Sequence, residues 1–340
     1  MSSLHLRTVG IGLLICFIGL NHAGQTSEQQ ADTTLKSLYH SINNIPNHDM
    51  SARLEVISAQ FLGKPYLLGA LGEGKNARYD QSPRYRTDAF DCETFVTTIL
   101  AIALADNSLT FQHCLRQLRY NQGQCRFLQR NHFTGLDWNQ NNQKQGFVKD
   151  ITMSITDANQ NIVAQTASAL IDKPSWYQHF TTDNVKLAKP DHKEQMKRLT
   201  ELKKKGNTLP RTRSTLPYLP LRVLFNKKGQ ANQHLFSRIP NGAIIEIVRP
   251  NWDLTRQIGT HLNVSHLGFV FRKNDSLIFR HASSQSDGVV DVSLIDYLRN
   301  ALTSPTIKGI NVQIVVPKKP LSGDCKPLRR ISRLPVSKQQ

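Results

Sequence analysis

The sequence predicts an α+β fold in which one buried helix packs against an antiparallel sheet. The first observation is the apolar run Phe95–Ala105, which is long enough for a buried helix and follows Asp91, a good helix N-cap. The second is the turn-rich stretch 273–275, which separates two segments rich in β-branched and aromatic residues, as in a β-hairpin. Four strands are expected in the second half of the chain: Ala243–Val248, His266–Arg272, Ser276–His281 and Ile310–Val316.

The stretch 106–239, between the helix and these strands, is interpreted as a large helical and loop-rich insertion. A helix is expected at Leu109–Tyr120 and a basic amphipathic helix near Lys193–Lys205. Thr215–Pro220 is expected to be extended, because each proline disfavours a helical conformation in the residue before it.

The two ends of the chain suggest an exported protein. Val9–Leu20 has the length of a signal-peptide apolar region, and small residues follow at Ala23-Gly24. It is too short to cross a bilayer, which takes about 20 apolar residues, and no later segment is apolar enough to do so. We therefore expect a signal peptide at 1–23, a single domain at 24–317 and a basic tail at 318–340, in a periplasmic or secreted protein.

Cys92 is the first candidate for chemistry. It lies in the first turn of the expected helix, where free backbone N–H groups and the positive end of the helix dipole favour a thiolate. Such a position can lower a thiol pKa from about 8.5 to roughly 3.5–7.5. The alternative is structural, because a lone cysteine at a helix start is commonly part of the core.

Two histidines of the expected hairpin complete a possible reactive set. If the hairpin loop has two residues, His266 and His281 share a face, directly opposite for a loop at Lys273-Asn274 and diagonal for a loop at Asn274-Asp275. A three-residue loop would place them on opposite faces unless a bulge corrects it. Each is also explicable as a structural histidine.

Together, Cys92, His266 and His281 provide the nucleophile, general base and orienting group that thiol-dependent acyl transfer requires. A zinc site of His261, His266 and His281 is the alternative, but it leaves the placement of Cys92 unexplained, and neither a CxxC pair nor an HExxH helix is present. No cofactor or metal is therefore expected.

Several segments resemble the NlpC-type cell-wall cysteine hydrolases. Asp91–Val96, Ser265–Val270 and His281 are similar to the catalytic segments of that family, and Gly63–Gly69 is similar to its glycine–proline–tyrosine segment. The closer resemblance is to its N-acetylmuramoyl-L-alanine amidase-like branch, a domain-of-unknown-function family. It extends over about residues 50 to 317. The branch features are Arg130–Phe133, Trp138, Asn142, His281–Ser284, Val289–Asp291 and Asp296–Leu298.

This resemblance implies a papain-like fold with Cys92 as nucleophile, His266 as base and His281 as its orienting partner. Tyr66 would lie beside the nucleophile and assist the oxyanion, and Asp91 would hold a free amine of the substrate. The family implies peptidoglycan or muropeptides as substrate, cut at the muramoyl–L-alanine bond or, as in the wider family, between D-glutamate and the diamino acid. A thiol acyltransferase or a catalytically silent envelope-binding protein would use the same fold.

The sequence departs from the wider NlpC family at two places. Glu93-Thr94 replaces the usual serine–glycine pair, and Ala70 replaces a glycine after the tyrosine segment. These changes bear on peptide specificity and leave the three reactive residues in place.

Four cysteines remain after the expected signal peptide: Cys92, Cys114, Cys125 and Cys325. Cys114 and Cys125 are near enough in sequence to form a disulfide, or both are free thiols. Cys325 lies in a tail that has no core pattern. So few cysteines exclude a disulfide-rich scaffold.

The formal charge of +18 is compatible with a polyanionic partner. Nucleic acid is not expected, because the cations are scattered and no nucleic-acid-binding motif accompanies them. Anionic envelope polymer is the expected partner, and the alternative is that the basic surface serves only solubility.

Overall fold

The computed structural model of the chain describes residues 26–42, 49–274 and 276–327. The expected signal peptide at 1–23 and the end of the basic tail lie outside these residues. The described helices are α1 Ser27–Ile42, α2 Met50–Ala59, α3 Cys92–Leu104, α4 Ser108–Arg119, α5 Asn139–Gln145, α6 Lys173–Gln178, α7 His192–Gly206, α8 Leu221–Leu224, α9 Gln233–Ser237, α10 Thr255–Ile258 and α11 Leu294–Asn300. The strands are β1 Val148–Asp150, β2 Gln165–Asp172, β3 Arg211–Pro220, β4 Ala243–Leu254, β5 Thr260–Lys273, β6 Ser276–Ser283, β7 Gly288–Ser293 and β8 Gly309–Val315.

The strands form one eight-stranded sheet in the order β2-β3-β8-β4-β5-β6-β7, with β1 also paired to β8. Every neighbouring pair is antiparallel. The expected mixture of helices with an antiparallel sheet is confirmed, and so are the four strands predicted in the second half.

Two apolar layers cover the faces of this sheet. Side chains of α1, α2, α3 and α4 pack on one face together with Phe269 and Phe271 of β5. On the other face, Val270 of β5 and Phe279 of β6 pack against α9 and α11. The alternation along β5 follows from the period of two residues in a strand, which sends neighbouring side chains to opposite faces.

The central helix α3 is confirmed at Cys92–Leu104, close to the apolar run that predicted it. Its side chains from Thr94 to Leu104 are all buried. Burial of each large apolar side chain contributes about 1.5–3 kcal/mol, so tertiary packing stabilises this helix far more than intrinsic propensity does.

The stretch 106–239 contains the expected helices as α4 and α7, and Thr215–Pro220 is extended as part of β3. It also supplies β1, β2 and β3 to the sheet, which the sequence analysis predicted only in part. Small and polar residues dominate β2, and its buried positions include Ala167 and Ala169. Such a strand lacks the apolar alternation on which sequence interpretation depends.

The cysteine pairing differs from both alternatives drawn from the sequence. Cys114 forms a disulfide with Cys325, with 5.0 Å between their Cα atoms, and Cys125 is free. Cys325 is fully buried, so the start of the tail belongs to the core. The backbone N–H of Leu321 also donates to the carbonyl of Leu104 at 2.6 Å. Spacing along the chain could not reveal this pairing, because it joins residues 211 positions apart.

Within residues 26–42, 49–274 and 276–327, no helix is both long and apolar enough to span a membrane.

Candidate active site

Asp91 fixes the start of α3 and therefore the position of Cys92. Its Oδ1 accepts the backbone N–H of Thr94 at 2.8 Å, and Thr94 Oγ1 accepts the backbone N–H of Asp91 at 2.9 Å, which completes a capping box. Asp91 Oδ2 accepts the backbone N–H of Gly69 at 2.8 Å. The carboxylate thus ties the Gly63–Gly69 segment to the helix that carries the thiol.

The Cys92 sulfur lies against the backbone of β5. It accepts hydrogen bonds from the backbone N–H groups of Leu267 and Glu93, and the thiol is only partly exposed. Burial, followed by the negative charge of Asp91, raises the pKa of the Cys92 thiol to about 12. This direction is opposite to the one expected from the helix start, and burial of the thiol is its largest cause.

The hairpin adopts one of the two registers that place both histidines on one face. Lys273 pairs with Ser276, which is the register in which the two histidines are diagonal. His266 Nε2 lies 2.6 Å from His281 Nδ1, a hydrogen bond between the two rings. The expected pair of imidazoles is confirmed.

A bulge in β5 and a glycine at position 268 shape the backbone around the two histidines. His266 pairs with Ile247, but the next partners are Val264 and Val248, so Ser265 is an extra residue in the strand. Such bulges redirect side chains and are common beside active sites. At Gly268, a Cβ would lie 2.7 Å from the Cβ of His281. Only glycine at this position lets β5 approach His281 so closely.

Burial keeps both imidazoles neutral at pH 7. Desolvation, with a smaller contribution from the neighbouring His281, lowers the pKa of His266 to about 3. Desolvation also lowers the pKa of His281 to about 4, against an opposing effect of the Asp291 carboxylate. His281 is buried, and its Nε2 has no hydrogen-bond partner among the described residues.

Arg280 holds the strands around His281 in place. Its Nε and Nη2 donate to the two carboxylate oxygens of Asp291 at 2.6 and 2.7 Å, and Nη1 donates to Ser58 Oγ at 2.9 Å. The guanidinium is fully buried. It therefore joins β6, β7 and α2 next to His281 in β6.

Tyr297 of α11 is a site residue that the sequence analysis did not assign, although it noted Asp296–Leu298 within the resemblance. Its ring stacks on His266, with 6.4 Å between centroids and 22° between planes, and it meets the His281 ring edge-on at 5.5 Å. Burial raises the pKa of Tyr297, Arg249 opposes the rise, and Cys92 adds a smaller contribution to it. The contact between Tyr297 and the two histidines depends on the packing of α11 on the sheet, which the local sequence does not predict.

Tyr66 reaches the thiol from the Gly63–Gly69 segment. The backbone N–H of Tyr66 donates to the backbone carbonyl of Asp287 at 3.1 Å, and Tyr66 forms a β-bridge with Phe90. Burial and the proximity of Cys92 and Asp91 raise the pKa of Tyr66 to about 12. The Tyr66 hydroxyl is therefore protonated at neutral pH and can donate a hydrogen bond.

Glu93 belongs to a buried polar chain. It accepts a hydrogen bond from Thr97 Oγ1 at 2.6 Å, and Thr97 Oγ1 accepts one from Trp138 Nε1 at 2.9 Å. Burial raises the pKa of Glu93, and the nearby Arg119 opposes the rise. Of the other residues noted in the resemblance, Asn142 donates to the carbonyl of Leu118 at 3.2 Å.

The alternative metal site is not assembled. His261 lies 3.8 Å from Asp253, while His266 and His281 contact each other. In the part of the chain that the structure describes, no three His, Cys, Asp or Glu side chains gather closely enough to hold a metal ion.

These contacts define a class: an antiparallel α+β protein with a helix-terminal thiol, a hydrogen-bonded imidazole pair and two tyrosines, a set suited to acyl transfer. The chain belongs to the AmiA-like family, described as N-acetylmuramoyl-L-alanine amidase-like, whose model matches residues 56–307.

Two solved structures are similar to it. A Legionella pneumophila protein assigned to DUF1460 is 55% identical, with a TM-score of 0.84 over 87% of this chain and 97% of that one. An N-acetylmuramoyl-L-alanine amidase from Bacteroides uniformis is 22% identical, with a TM-score of 0.56 over 79% of this chain and 99% of that one, a likeness of fold. No curated protein matches the chain.

Proposed function

We propose that the protein is an exported cysteine amidase with a papain-like fold that hydrolyses the N-acetylmuramoyl–L-alanine bond of peptidoglycan or muropeptides. The observation that carries this proposal is the hydrogen-bonded pair of His266 and His281 next to the β5 backbone that the Cys92 sulfur contacts, in a chain of the AmiA-like family. The thiol meets the backbone of Leu267, which directly follows His266, so nucleophile and base belong to one site.

The hydrogen bond between the histidines decides which nitrogen acts as base. When His266 Nε2–H donates to His281 Nδ1, the Nδ1 of His266 is left unprotonated and can accept the thiol proton. His281 then stabilises the imidazolium that forms on His266 and keeps its ring oriented. Because the thiol is protonated at rest, its proton leaves during the attack on the substrate.

The reaction proceeds by two acyl transfers. The Cys92 sulfur attacks the amide carbonyl as His266 takes the thiol proton, and the imidazolium then protonates the departing amine as the C–N bond breaks. A water molecule, deprotonated by His266, attacks the thioester carbonyl; the C–S bond breaks, the imidazolium returns the proton to the Cys92 sulfur, and a carboxylate is released. In this mechanism the backbone N–H of Cys92 and the Tyr66 hydroxyl stabilise the oxyanion.

Mass spectrometry of digested muropeptides tests the bond that is cut. We expect free peptides with an L-alanine amino terminus and sugar fragments with a free lactyl carboxylate. Shortened stem peptides that remain on the sugar would instead identify an endopeptidase. Transfer of the acyl group to an added amine without hydrolysis would identify an acyltransferase.

Substitutions at the three residues test the chemistry. Cys92→Ala and His266→Ala should each lower kcat by several orders of magnitude, and His281→Ala should lower it less, because His281 orients the base and does not react. Full activity in Cys92→Ala would refute the cysteine mechanism. Cleavage near Ala23, read by N-terminal sequencing of the envelope fraction, tests export.

A further inference from the structure

A cleft of about 340 Å³ opens between the Gly63–Gly69 segment and α6. Gly69 forms part of its wall, and the backbone N–H of Gly69 donates to Asp91, the residue that precedes Cys92. The opposite walls come from α6, from the 180–186 segment and from α10 at the tip of the β4–β5 hairpin. Gly69 therefore links the wall of the cleft to the residue that precedes the thiol.

Lys186 provides an unmatched cation in this cleft. Its ammonium donates to the carbonyl of Gly69 at 2.9 Å and pairs with no carboxylate among the described residues. Arg130, the other permanently charged cation of the walls, is already neutralised by Glu73 and Asp80, with contacts of 2.8 and 3.0 Å. Lys186 is thus the cation that is available to a ligand.

The surroundings of Lys186 restrict what the ligand can be. Gly69 has a positive φ of 64°, and a Cβ there would lie 3.1 Å from the Lys186 Nζ, so glycine keeps this approach open. Aromatic rings line the far wall, with 4.6 Å between the centroids of Trp176 and Phe180. The Lys186 ammonium favours a ligand with an anionic group, and the aromatic wall strengthens this attraction because it excludes water. The same wall favours short aliphatic groups next to that anion.

Resting on the proposed function, we propose that this cleft binds the stem peptide and that Lys186 pairs with the α-carboxylate of its D-glutamate. In a muramoyl peptide the lactyl carboxyl of the sugar is consumed by the amide bond, so the charge lies on the peptide. D-Glutamate follows L-alanine directly, which places its carboxylate one residue from the bond that is cut. The peptide therefore occupies the cleft as the leaving group departs.

Binding to the full-length Cys92→Ala protein separates recognition from turnover. The probe is L-Ala–γ-D-Glu–L-Lys-amide, whose single carboxylate is that of D-glutamate, and its partner is the same peptide with that carboxylate as a carboxamide. By calorimetry we expect the carboxamide to bind at least tenfold more weakly, since a hydrogen bond to a charged group is lost. Equal affinity for the two peptides, or no measurable binding of either, would overturn the proposal.

Lysine substitutions in the same background localise the effect. Lys186→Met should remove the discrimination between the two peptides, while Lys186→Arg should retain most of it. Lys189→Met is the matched control, because Lys189 is exposed on the same segment and its loss changes the net charge equally. Discrimination that survives in a folded Lys186→Met protein would refute the role of Lys186. If the Lys186→Met variant unfolds, the proposal is judged by the binding of the two peptides to the Cys92→Ala protein that retains Lys186.

Turnover of muropeptides by the wild-type protein is measured separately. If the protein discriminates between the two peptides but releases no peptide from muropeptides, the D-glutamate site in the cleft is supported and the amidase function is refuted. If it releases peptide but binds both probes equally, the amidase function is supported and the D-glutamate site in the cleft is refuted.

Discussion

Removal of the Cys114–Cys325 disulfide should destabilise the fold while leaving the chemistry of the site intact. The bridge spans 211 residues of sequence, and the loss of loop-closure entropy for a loop of that length corresponds to about 5 kcal/mol. Loss of a native bridge typically costs about 2–5 kcal/mol. Both sulfur atoms are fully buried in the apolar layer that also contains α3. We therefore expect Cys114→Ala/Cys325→Ala to lose about 3–5 kcal/mol of the free energy of unfolding.

Urea unfolding followed by circular dichroism measures this loss. Cys125→Ala is the control, because Cys125 is a free cysteine outside that layer and its substitution should leave the midpoint nearly unchanged. Under conditions where both proteins remain folded, the double variant should hydrolyse substrate at close to the wild-type rate, since the bridge does not contact Cys92. An unchanged unfolding midpoint in the double variant would contradict the pairing and the docking of the tail through Leu321.

Three further outcomes follow from the site. In Cys125→Ala, the rate at which iodoacetamide alkylates Cys92 should rise about tenfold per pH unit between pH 7 and 9, because the pKa of this thiol is raised to about 12; a plateau below pH 9 would contradict the buried thiol. Gly268→Ala should lower both the melting temperature and kcat, because its Cβ would lie 2.7 Å from that of His281; wild-type values for both would show that β5 can move away. Acid should destabilise the fold through His266 and His281, whose pKa values of about 3 and about 4 lie below the ordinary 6.5. The unfolded chain binds these protons first, so each histidine should remove about 1.4 kcal/mol per pH unit as the pH falls from about 6 to 4. Urea midpoints against pH should show a shallower slope in His266→Gln/His281→Gln, and an equal slope would refute this origin.

Local patterns in the sequence were sufficient for the parts of the site that depend on neighbours along the chain. Asp91 with an apolar run behind it predicted the start of α3, because capping and periodic burial are local effects. The spacing of His266 and His281 about a turn allowed their shared face, because side chains alternate along a strand. The sequence did not determine which of the two loop positions is used, because that depends on the register in which β5 pairs with β6.

Tertiary structure decided the features that depend on distant packing. The partner of Cys114, the stacking of Tyr297 on His266 and the position of Lys186 over Gly69 all join residues that no local period relates. The electrostatics of the thiol belong to the same group. A helix start alone predicts a lowered pKa, but the depth to which Cys92 is buried beneath β5 raises it, because desolvation depends on everything packed around the sulfur.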